Sequence, residues 1–305
     1  MSPRSTPGSP RCARVELMQT LTSHVVTDTR TIHVAHSPDS DDAFMFYALA
    51  EGKVETNGLR YVHELQDIET LNQRALRGEL EVTAVSIHAY AYLADTYALL
   101  PHGASMGDQY GPRLVAKLPM SRNDIRGKHI AIPGPLTSAY LALRLYEPDF
   151  IPVPTPFDQI EDAVERGDVD LGLLIHEGQL TFGDRGLHLI ADMGEWWFGE
   201  TGLPLPLGGN VVRKDLGEAL TRDISRHLRA SIAYGLEHRS GALDHAMQYA
   251  RGLERSRADT FVGMYVNDWT LDYGERGREA VRKFLERGHD AGVISKAVEV
   301  EFIGD

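Results

Sequence analysis

The sequence contains a single cysteine, Cys12, in a chain of 305 residues. One cysteine excludes an intramolecular disulfide, a thiolate metal cage and a Cys–Cys redox pair. No run of about 18 consecutive apolar residues is present, so no membrane-spanning helix is predicted. Residues 1–31 also lack the apolar core of a secretory signal. We therefore expect a cytoplasmic protein that does not associate with membranes.

Basic residues are scarce as well. Lys and Arg total 31 against 44 Asp and Glu, which gives a formal net charge of −13. A surface this acidic repels phosphate backbones, and no dense cluster of Lys and Arg offsets the repulsion. Nucleic acid is therefore not an expected partner. The apolar fraction of 42% is enough for two cores in a chain of this length.

Strand-like and helix-like segments alternate beyond residue 31. Residues 32–36 are typical of a strand, 37–42 of a turn rich in helix-capping side chains, and 43–51 of a helix that ends at Gly52. Repetition of this unit predicts an α/β protein with largely parallel sheets. Residues 1–31 are predicted to be a disordered extension outside the fold.

An internal echo refines this prediction. Residues 77–82 (Arg-Gly-Glu-Leu-Glu-Val) resemble residues 166–171 (Arg-Gly-Asp-Val-Asp-Leu), and both precede a predicted strand. A generic helix–Gly–strand repeat would explain the echo, but two lobes of similar topology explain it better. The predicted lobe one comprises 32–115 and 207–305, and the predicted lobe two is an insertion at 116–206. Extended segments at 113–117 and 205–213 would cross between them.

Ligands of open α/β sheets bind beyond the carboxyl ends of the strands. The turns at 37–42, 86–88, 134–138 and 176–178 should therefore face one cleft. His176 follows a short apolar strand, and a neutral imidazole there can act as a general base because its ordinary pKa lies near working pH.

The other polar residues of these turns have two interpretations each. Asp39, Asp41 and Asp42 stand where a metal-dependent phosphotransferase would place its ligands, but caps of the following helix are the commoner explanation. Thr137 and Ser138 begin a helix, where free amides and hydroxyls either hold a ligand or cap the helix. Neither a dinucleotide-binding nor a phosphate-loop motif is present, so no cofactor is predicted.

Four segments taken in order resemble one enzyme family. They are residues 37–49, 67–72, 175–177 and 202–208, which look like the corresponding segments of the 1,4-dihydroxy-6-naphthoate synthases. The resemblance extends from about residue 32 to the carboxyl terminus. It implies a two-lobed fold of the type II periplasmic-binding-protein kind, with a central cleft.

The same resemblance implies an activity. Family members are cofactor-free lyases of the futalosine route to menaquinone, and they convert cyclic dehypoxanthinylfutalosine, an aromatic carboxylate, into 1,4-dihydroxy-6-naphthoate. It places His176 at the position of the proton acceptor. The implied substrate-binding residues are Ser37, Asp42, Ala84, Val85, Ser86, Thr137, Ser138 and Ala139.

Two positions depart from the family pattern. The family usually has Pro-Asn-Asp-Thr where this chain has residues 40–43, and Lys where it has Ala84. The missing ammonium removes a partner for a substrate carboxylate, and Asp41 adds negative charge. Two other functions share the predicted fold: a non-catalytic solute-binding protein, and the sister enzyme chorismate dehydratase.

Overall fold

A computed structural model describes residues 30–250 and 253–304. Cys12 and nearly all of the predicted extension at 1–31 lie outside the described residues. The described chain is an α/β structure with two sheets, as the sequence predicts.

The first sheet has six strands. They are β1 (Arg30–His36), β2 (Leu59–Leu65), β3 (Val82–Ser86), β4 (Tyr97–Leu99), β5 (Ser105–Gly107) and β11 (Leu205–Arg213). The order is β2-β1-β3-β11-β4, and β5 pairs with the beginning of β11. Strand β1 runs parallel to β2 and β3, whereas β11 runs antiparallel to β3.

The second sheet has five strands. They are β6 (Arg113–Ala116), β7 (His129–Ile132), β8 (Ile151–Pro154), β9 (Leu171–Leu174) and β10 (His188–Asp192), in the order β10-β6-β9-β7-β8. Strand β7 runs parallel to β8 and β9, and β6 runs antiparallel to β9.

The two sheets share one topology, which gives the sequence echo its structural basis. In each, the first strand (β1 or β7) lies between the second and the third, and an antiparallel strand adjoins the third. The echoed residues 77–82 and 166–171 lead into β3 and β9, which occupy equivalent positions. The chain passes from the first sheet to the second before β6, which begins at Arg113, and returns to the first sheet at β11, which begins at Leu205.

Twelve helices flank the sheets within the described residues. Those of the first half are α1 (Ser40–Ala50), α2 (Ile68–Leu76), α3 (Ile87–Leu93), α4 (Ser138–Tyr146), α5 (Ile160–Arg166) and α6 (Gly178–Thr181). The others are α7 (Met193–Thr201), α8 (Glu218–Glu237), α9 (Arg239–Ala246), α10 (Arg255–Tyr265), α11 (Asp268–Leu271) and α12 (Gly274–Asp290).

The carboxyl-terminal helices bury their apolar faces on the first sheet and its helices. Helices α8, α9 and α10 pack against α1 around Phe44, Leu228, Leu243 and Val262, all buried. Helix α12 packs against β11, α3 and α4 through Val281, Phe284 and Leu285. In the part of the chain that the structure describes, no helix is both long and apolar enough to cross a bilayer.

Candidate functional site

A cavity opens between the two sheets, at the carboxyl ends of β1, β3 and β9. The space between its walls, together with the part that is open to solvent, is about 730 Å³. All nine residues predicted for the site line it: Ser37, Asp42, Ala84, Val85, Ser86, Thr137, Ser138, Ala139 and His176. The parallel strands explain this convergence, because their carboxyl ends meet at one edge of each sheet.

His176 lies just beyond β9, at a sharp turn. Its backbone adopts φ of +58°, a left-handed conformation that is uncommon for residues other than glycine. Strained conformations of this kind cluster at functional sites because the surrounding structure must hold them. Phe157 packs edge-on against the imidazole, with ring centroids 4.7 Å apart.

The imidazole of His176 faces a buried carboxylate of the other sheet's first turn. Nδ1 lies 2.8 Å from Oδ2 of Asp39, whose side chain is 1% exposed. The same carboxylate oxygen accepts a hydrogen bond from the Ser37 hydroxyl. The opposite imidazole nitrogen, Nε2, is buried and has no hydrogen-bond partner among the described residues. The arrangement fixes the ring and leaves one nitrogen free for a ligand.

Burial and the surrounding carboxylates act on His176 in opposite directions. Burial lowers the pKa of His176, but the charge and hydrogen bond of Asp39, with Glu177 and Asp41, outweigh it and raise the pKa to about 9. In the ligand-free site the imidazolium form therefore predominates at neutral pH.

We call Asp39, Asp41, Asp42 and Glu177 around His176 the acidic cluster. Asp42 accepts a hydrogen bond of 2.7 Å from the Ser37 amide, and Glu177 accepts one of 3.1 Å from the Ser40 hydroxyl. Burial raises the pKa of Asp42 to about 6, although the Ser37 hydrogen bonds oppose the shift. The expectation that these aspartates are mainly helix caps is wrong for Asp39, because it occupies the N-cap position of α1 without a side-chain capping bond.

We call Ser86, Thr137 and Ser138 the hydroxyl cluster. The Asn72 side chain makes two hydrogen bonds to Ser86. Its Oδ1 accepts from the Ser86 amide at 2.9 Å, and its Nδ2 donates to the Ser86 hydroxyl oxygen at 3.1 Å. Thr137 caps α4, since its hydroxyl oxygen accepts from the Tyr140 amide at 3.2 Å and its hydroxyl donates to the Gly134 carbonyl at 2.8 Å.

Ser138 joins the two sheets. Its hydroxyl donates to the Leu207 carbonyl at 2.6 Å and its oxygen accepts from the His88 amide at 3.1 Å. The hydroxyl hydrogens of Thr137 and Ser138 are thus already engaged, and Ser86 is the cluster member whose hydroxyl hydrogen has no acceptor among the bonds of the described residues.

The remaining wall of the cavity is largely apolar. Ala84, Val85 and Ala139 contribute small side chains, and Met45, Ile68, Leu207 and Phe261 contribute larger ones. Neither Lys nor Arg lines the cavity in the described part of the chain. A ligand carboxylate would therefore depend on hydroxyls and main-chain amides.

Sequence reasoning missed several cavity residues. Gln179, Asn210 and Tyr265 also line the cavity, and the Tyr265 hydroxyl lies 2.7 Å from the side-chain amide of Gln179. Tyr265 comes from α10, whose amphipathic spacing indicates only a buried face. No local signal tells which helix reaches the cleft.

Contacts across the cleft mouth hold the two sheets together. Oε2 of Glu69, on α2, accepts a hydrogen bond of 3.2 Å from the Leu136 amide in the turn before α4. Gly134 makes this approach possible, because a Cβ on it would lie 2.3 Å from that same oxygen. The two sides of the cleft are thus in direct contact at this point.

A second, more open cavity adjoins the other side of His176. Phe157, Glu161, Glu177, Glu254 and Arg257 are among its lining residues. Within residues 30–250 and 253–304, no group of three or more His, Cys, Asp and Glu side chains is arranged to hold a metal ion.

The fold resembles that of solute-binding proteins. The alkanesulfonate-binding protein of Xanthomonas axonopodis pv. citri has a TM-score of 0.64 at 13% identity, over 88% of this chain and 96% of that chain. At this identity the likeness concerns the fold alone, and it confirms the predicted periplasmic-binding-protein-like architecture.

Comparison at higher identity shows the family. The model of a family described as menaquinone biosynthesis matches residues 32–290. A 1,4-dihydroxy-6-naphthoate synthase of Thermus thermophilus is 39% identical over 272 residues, or 89% of this chain and 99% of that protein. One of Streptomyces coelicolor is 39% identical over 271 residues, or 87% of this chain and 95% of that protein. The chain belongs to the menaquinone biosynthesis family.

The chain is also similar to a solved structure. A crystal structure of a protein from Archaeoglobus fulgidus is 48% identical, with a TM-score of 0.84 over 89% of this chain and 100% of that chain.

Proposed function

We propose that this protein is a lyase that converts cyclic dehypoxanthinylfutalosine into 1,4-dihydroxy-6-naphthoate, with His176 as general base. The observation that carries the proposal is the imidazole in the cavity wall, held through Nδ1 by Asp39 at 2.8 Å and unpartnered at Nε2. Membership in the menaquinone biosynthesis family and the activity named for its two curated relatives support the same reaction.

The pair of His176 and Asp39, which we call the dyad, suits proton abstraction. Asp39 fixes the orientation of the ring and stabilises the imidazolium that forms when Nε2 accepts a proton. We propose that Nε2 takes a proton from an acidic C–H or O–H group of the sugar-derived ring. The electron pair left behind forms a new π bond as the carbon–carbon bond to the departing fragment breaks. The electron pair of the broken bond leaves with that fragment, which takes up the proton from the His176 imidazolium, and the remaining ring system tautomerises to its aromatic form.

The cavity suits a flat, largely apolar ligand. Its small side chains at Ala84, Val85 and Ala139 leave room for fused rings, and closure of the cleft excludes water from the reacting atoms. We assign recognition of the substrate carboxylate to the hydroxyl of Ser86 and the first-turn amides of α4, since the lining offers no ammonium or guanidinium.

The test is incubation of the purified protein, without added cofactor, with enzymatically prepared cyclic dehypoxanthinylfutalosine, followed by mass spectrometry of the products. We expect 1,4-dihydroxy-6-naphthoate from the wild type. Tight binding without turnover would instead indicate a solute-binding protein, and turnover of chorismate alone would indicate a dehydratase. Either result would overturn the proposal.

A further inference from the structure

Asp41 is a cavity-lining carboxyl group to which the dyad assigns no role. It is the second residue of α1, its side chain is nearly buried, and it shares the cavity wall with His176, Gln179 and Tyr265. Its Oδ1 is buried and has no hydrogen-bond partner among the described residues. A buried, unpartnered carboxylate oxygen is costly, because desolvation of the charge is not compensated.

The neighbours of Asp41 disfavour its ionisation. Asp39 and Asp42 lie on the same turn, and Glu177 faces it from the turn after β9. His176 faces it as a cation, and that imidazolium is already paired with Asp39 at 2.8 Å. From α10, Tyr265 presents an uncharged hydroxyl.

The three aspartates differ in the donors they receive. Asp39 accepts from Ser37 and faces His176, and Asp42 accepts from the Ser37 amide at 2.7 Å. Asp41 receives no hydrogen bond at Oδ1. Burial, together with Asp42 and Asp39, raises the pKa of Asp41 well above its ordinary value, against the opposing effect of His176. Of the three aspartates, Asp41 is therefore the one whose ionisation its surroundings oppose most.

We propose that Asp41 is a protonated, neutral carboxylic acid in the ligand-free site, and that it donates a hydrogen bond to an uncharged oxygen of the bound substrate. This inference rests on the proposed function for the identity of the substrate, whose sugar-derived ring supplies hydroxyl or ether oxygens. Asp41 is thus a specificity-determining residue that accepts a neutral oxygen beside His176 and repels a second anionic group.

The protonation state is measured directly on the ligand-free wild type. Carbon-13 NMR of protein labelled at the aspartate carboxyl carbons, with the Asp41 signal assigned by its loss in Asp41→Asn, gives its titration. We expect Asp41 to be protonated at pH 7, with its carboxyl signal moving only at alkaline pH. An ionised Asp41 at pH 7 would overturn the inference, whether or not the proposed substrate is turned over.

The donor role is tested by two substitutions. Asp41→Asn keeps a neutral donor, so we expect its KM at pH 7 to stay within about threefold of wild type, whereas Asp41→Ala should raise KM by about tenfold. The KM of the wild type should rise at alkaline pH as Asp41 ionises, and that of Asp41→Asn should not. Equal losses in both variants at pH 7, or the same alkaline rise in both the wild type and Asp41→Asn, would refute the donor role.

The two hypotheses fail separately. If cyclic dehypoxanthinylfutalosine is not turned over, the proposed function fails, and the NMR titration still decides the protonation of Asp41. If the substrate is turned over while Asp41 is ionised at pH 7, the proposed function stands and the role of Asp41 is refuted.

Discussion

His176 Nδ1 lies 2.8 Å from Asp39 Oδ2, and this contact joins the turn after β9 to the amino-terminal end of α1. The two residues flank different sheets, so the contact crosses the cleft, and it sets both the orientation of the imidazole and its pKa.

The pH dependence of turnover follows from that pKa. Burial lowers the pKa of His176, but the charge and hydrogen bond of Asp39 outweigh it and raise the pKa to about 9, and a general base must be neutral to accept a proton. We therefore expect kcat/KM to rise about tenfold per pH unit below pH 9, until the ionisation of Asp41 raises KM at alkaline pH. The measurement is kcat/KM against pH at low substrate concentration. A value that is flat between pH 6 and 9, or that falls, would refute a base with this pKa.

Replacing Asp39 by Asn removes the charge of the side chain and keeps its shape. Without the carboxylate, burial lowers the pKa of His176 with less opposition, so the rise in kcat/KM should move to lower pH by about two units. The highest value of kcat/KM across the pH profile should fall by about 10²-fold, because the imidazole loses the partner that orients it.

The matched control for Asp39→Asn is Ser37→Ala. This substitution removes the hydrogen bond that the Ser37 hydroxyl donates to the Asp39 carboxylate and keeps the charge of Asp39. The midpoint of the kcat/KM profile of Ser37→Ala should therefore stay within about half a pH unit of wild type. Equal shifts in both variants would show that the charge of Asp39 is not the cause.

Gly134 allows the two sides of the cleft mouth to meet. A Cβ there would lie 2.3 Å from Oε2 of Glu69, so Gly134→Ala should hold the cleft partly open and raise KM by about tenfold. Gly167→Ala is the control, since Gly167 also has a positive φ, of +79°, but no atom lies within 4 Å of its added Cβ. Both variants should lose about 1 kcal/mol of stability from backbone strain, and the loss of affinity should be confined to Gly134→Ala.

A buried histidine, His36, and a partly buried one, His63, should make the protein acid-sensitive. His36 Nδ1 donates to the Ser37 carbonyl at 3.0 Å, and its Nε2 lies 3.2 Å from His63 Nδ1. Burial lowers the pKa of His36 to about 3 and that of His63 to about 4.

The sign of the effect follows from proton binding. Below pH 6.5 the two histidines bind protons in the unfolded state but not in the folded state. Each histidine should therefore lower the free energy of unfolding by up to about 1.4 kcal/mol per pH unit as the pH falls from 6.5 toward 4. His63→Gln keeps an amide donor for His36 but cannot titrate. Urea unfolding at pH 7 and pH 5 should show a smaller loss for this variant; an identical loss would refute the assignment to His63.

Much of the cavity could be predicted because it is built at strand ends. Ser37 and His176 follow parallel strands and Ser86 is the last residue of one, and parallel strands of one sheet end at one edge. The equivalent topology of the two sheets then brings both sets of turns to one cleft. The structure shows that these residues line one cavity. Their roles there remain predictions.

The partner of His176 could not be predicted. Asp39 stands one residue before α1, where capping is the commonest local role of an aspartate, and only the closed fold brings it to an imidazole of the other sheet. Tyr265 was missed for a related reason, because helical periodicity indicates a buried face but not the element it packs against.

The measurement that tests the account most directly is turnover of cyclic dehypoxanthinylfutalosine by the wild type and by His176→Asn, with substrate affinity measured in parallel. We expect the wild type to form 1,4-dihydroxy-6-naphthoate, and His176→Asn to bind the substrate with kcat lower by about 10²–10⁴. A kcat near that of the wild type in the variant would show that His176 is not the base.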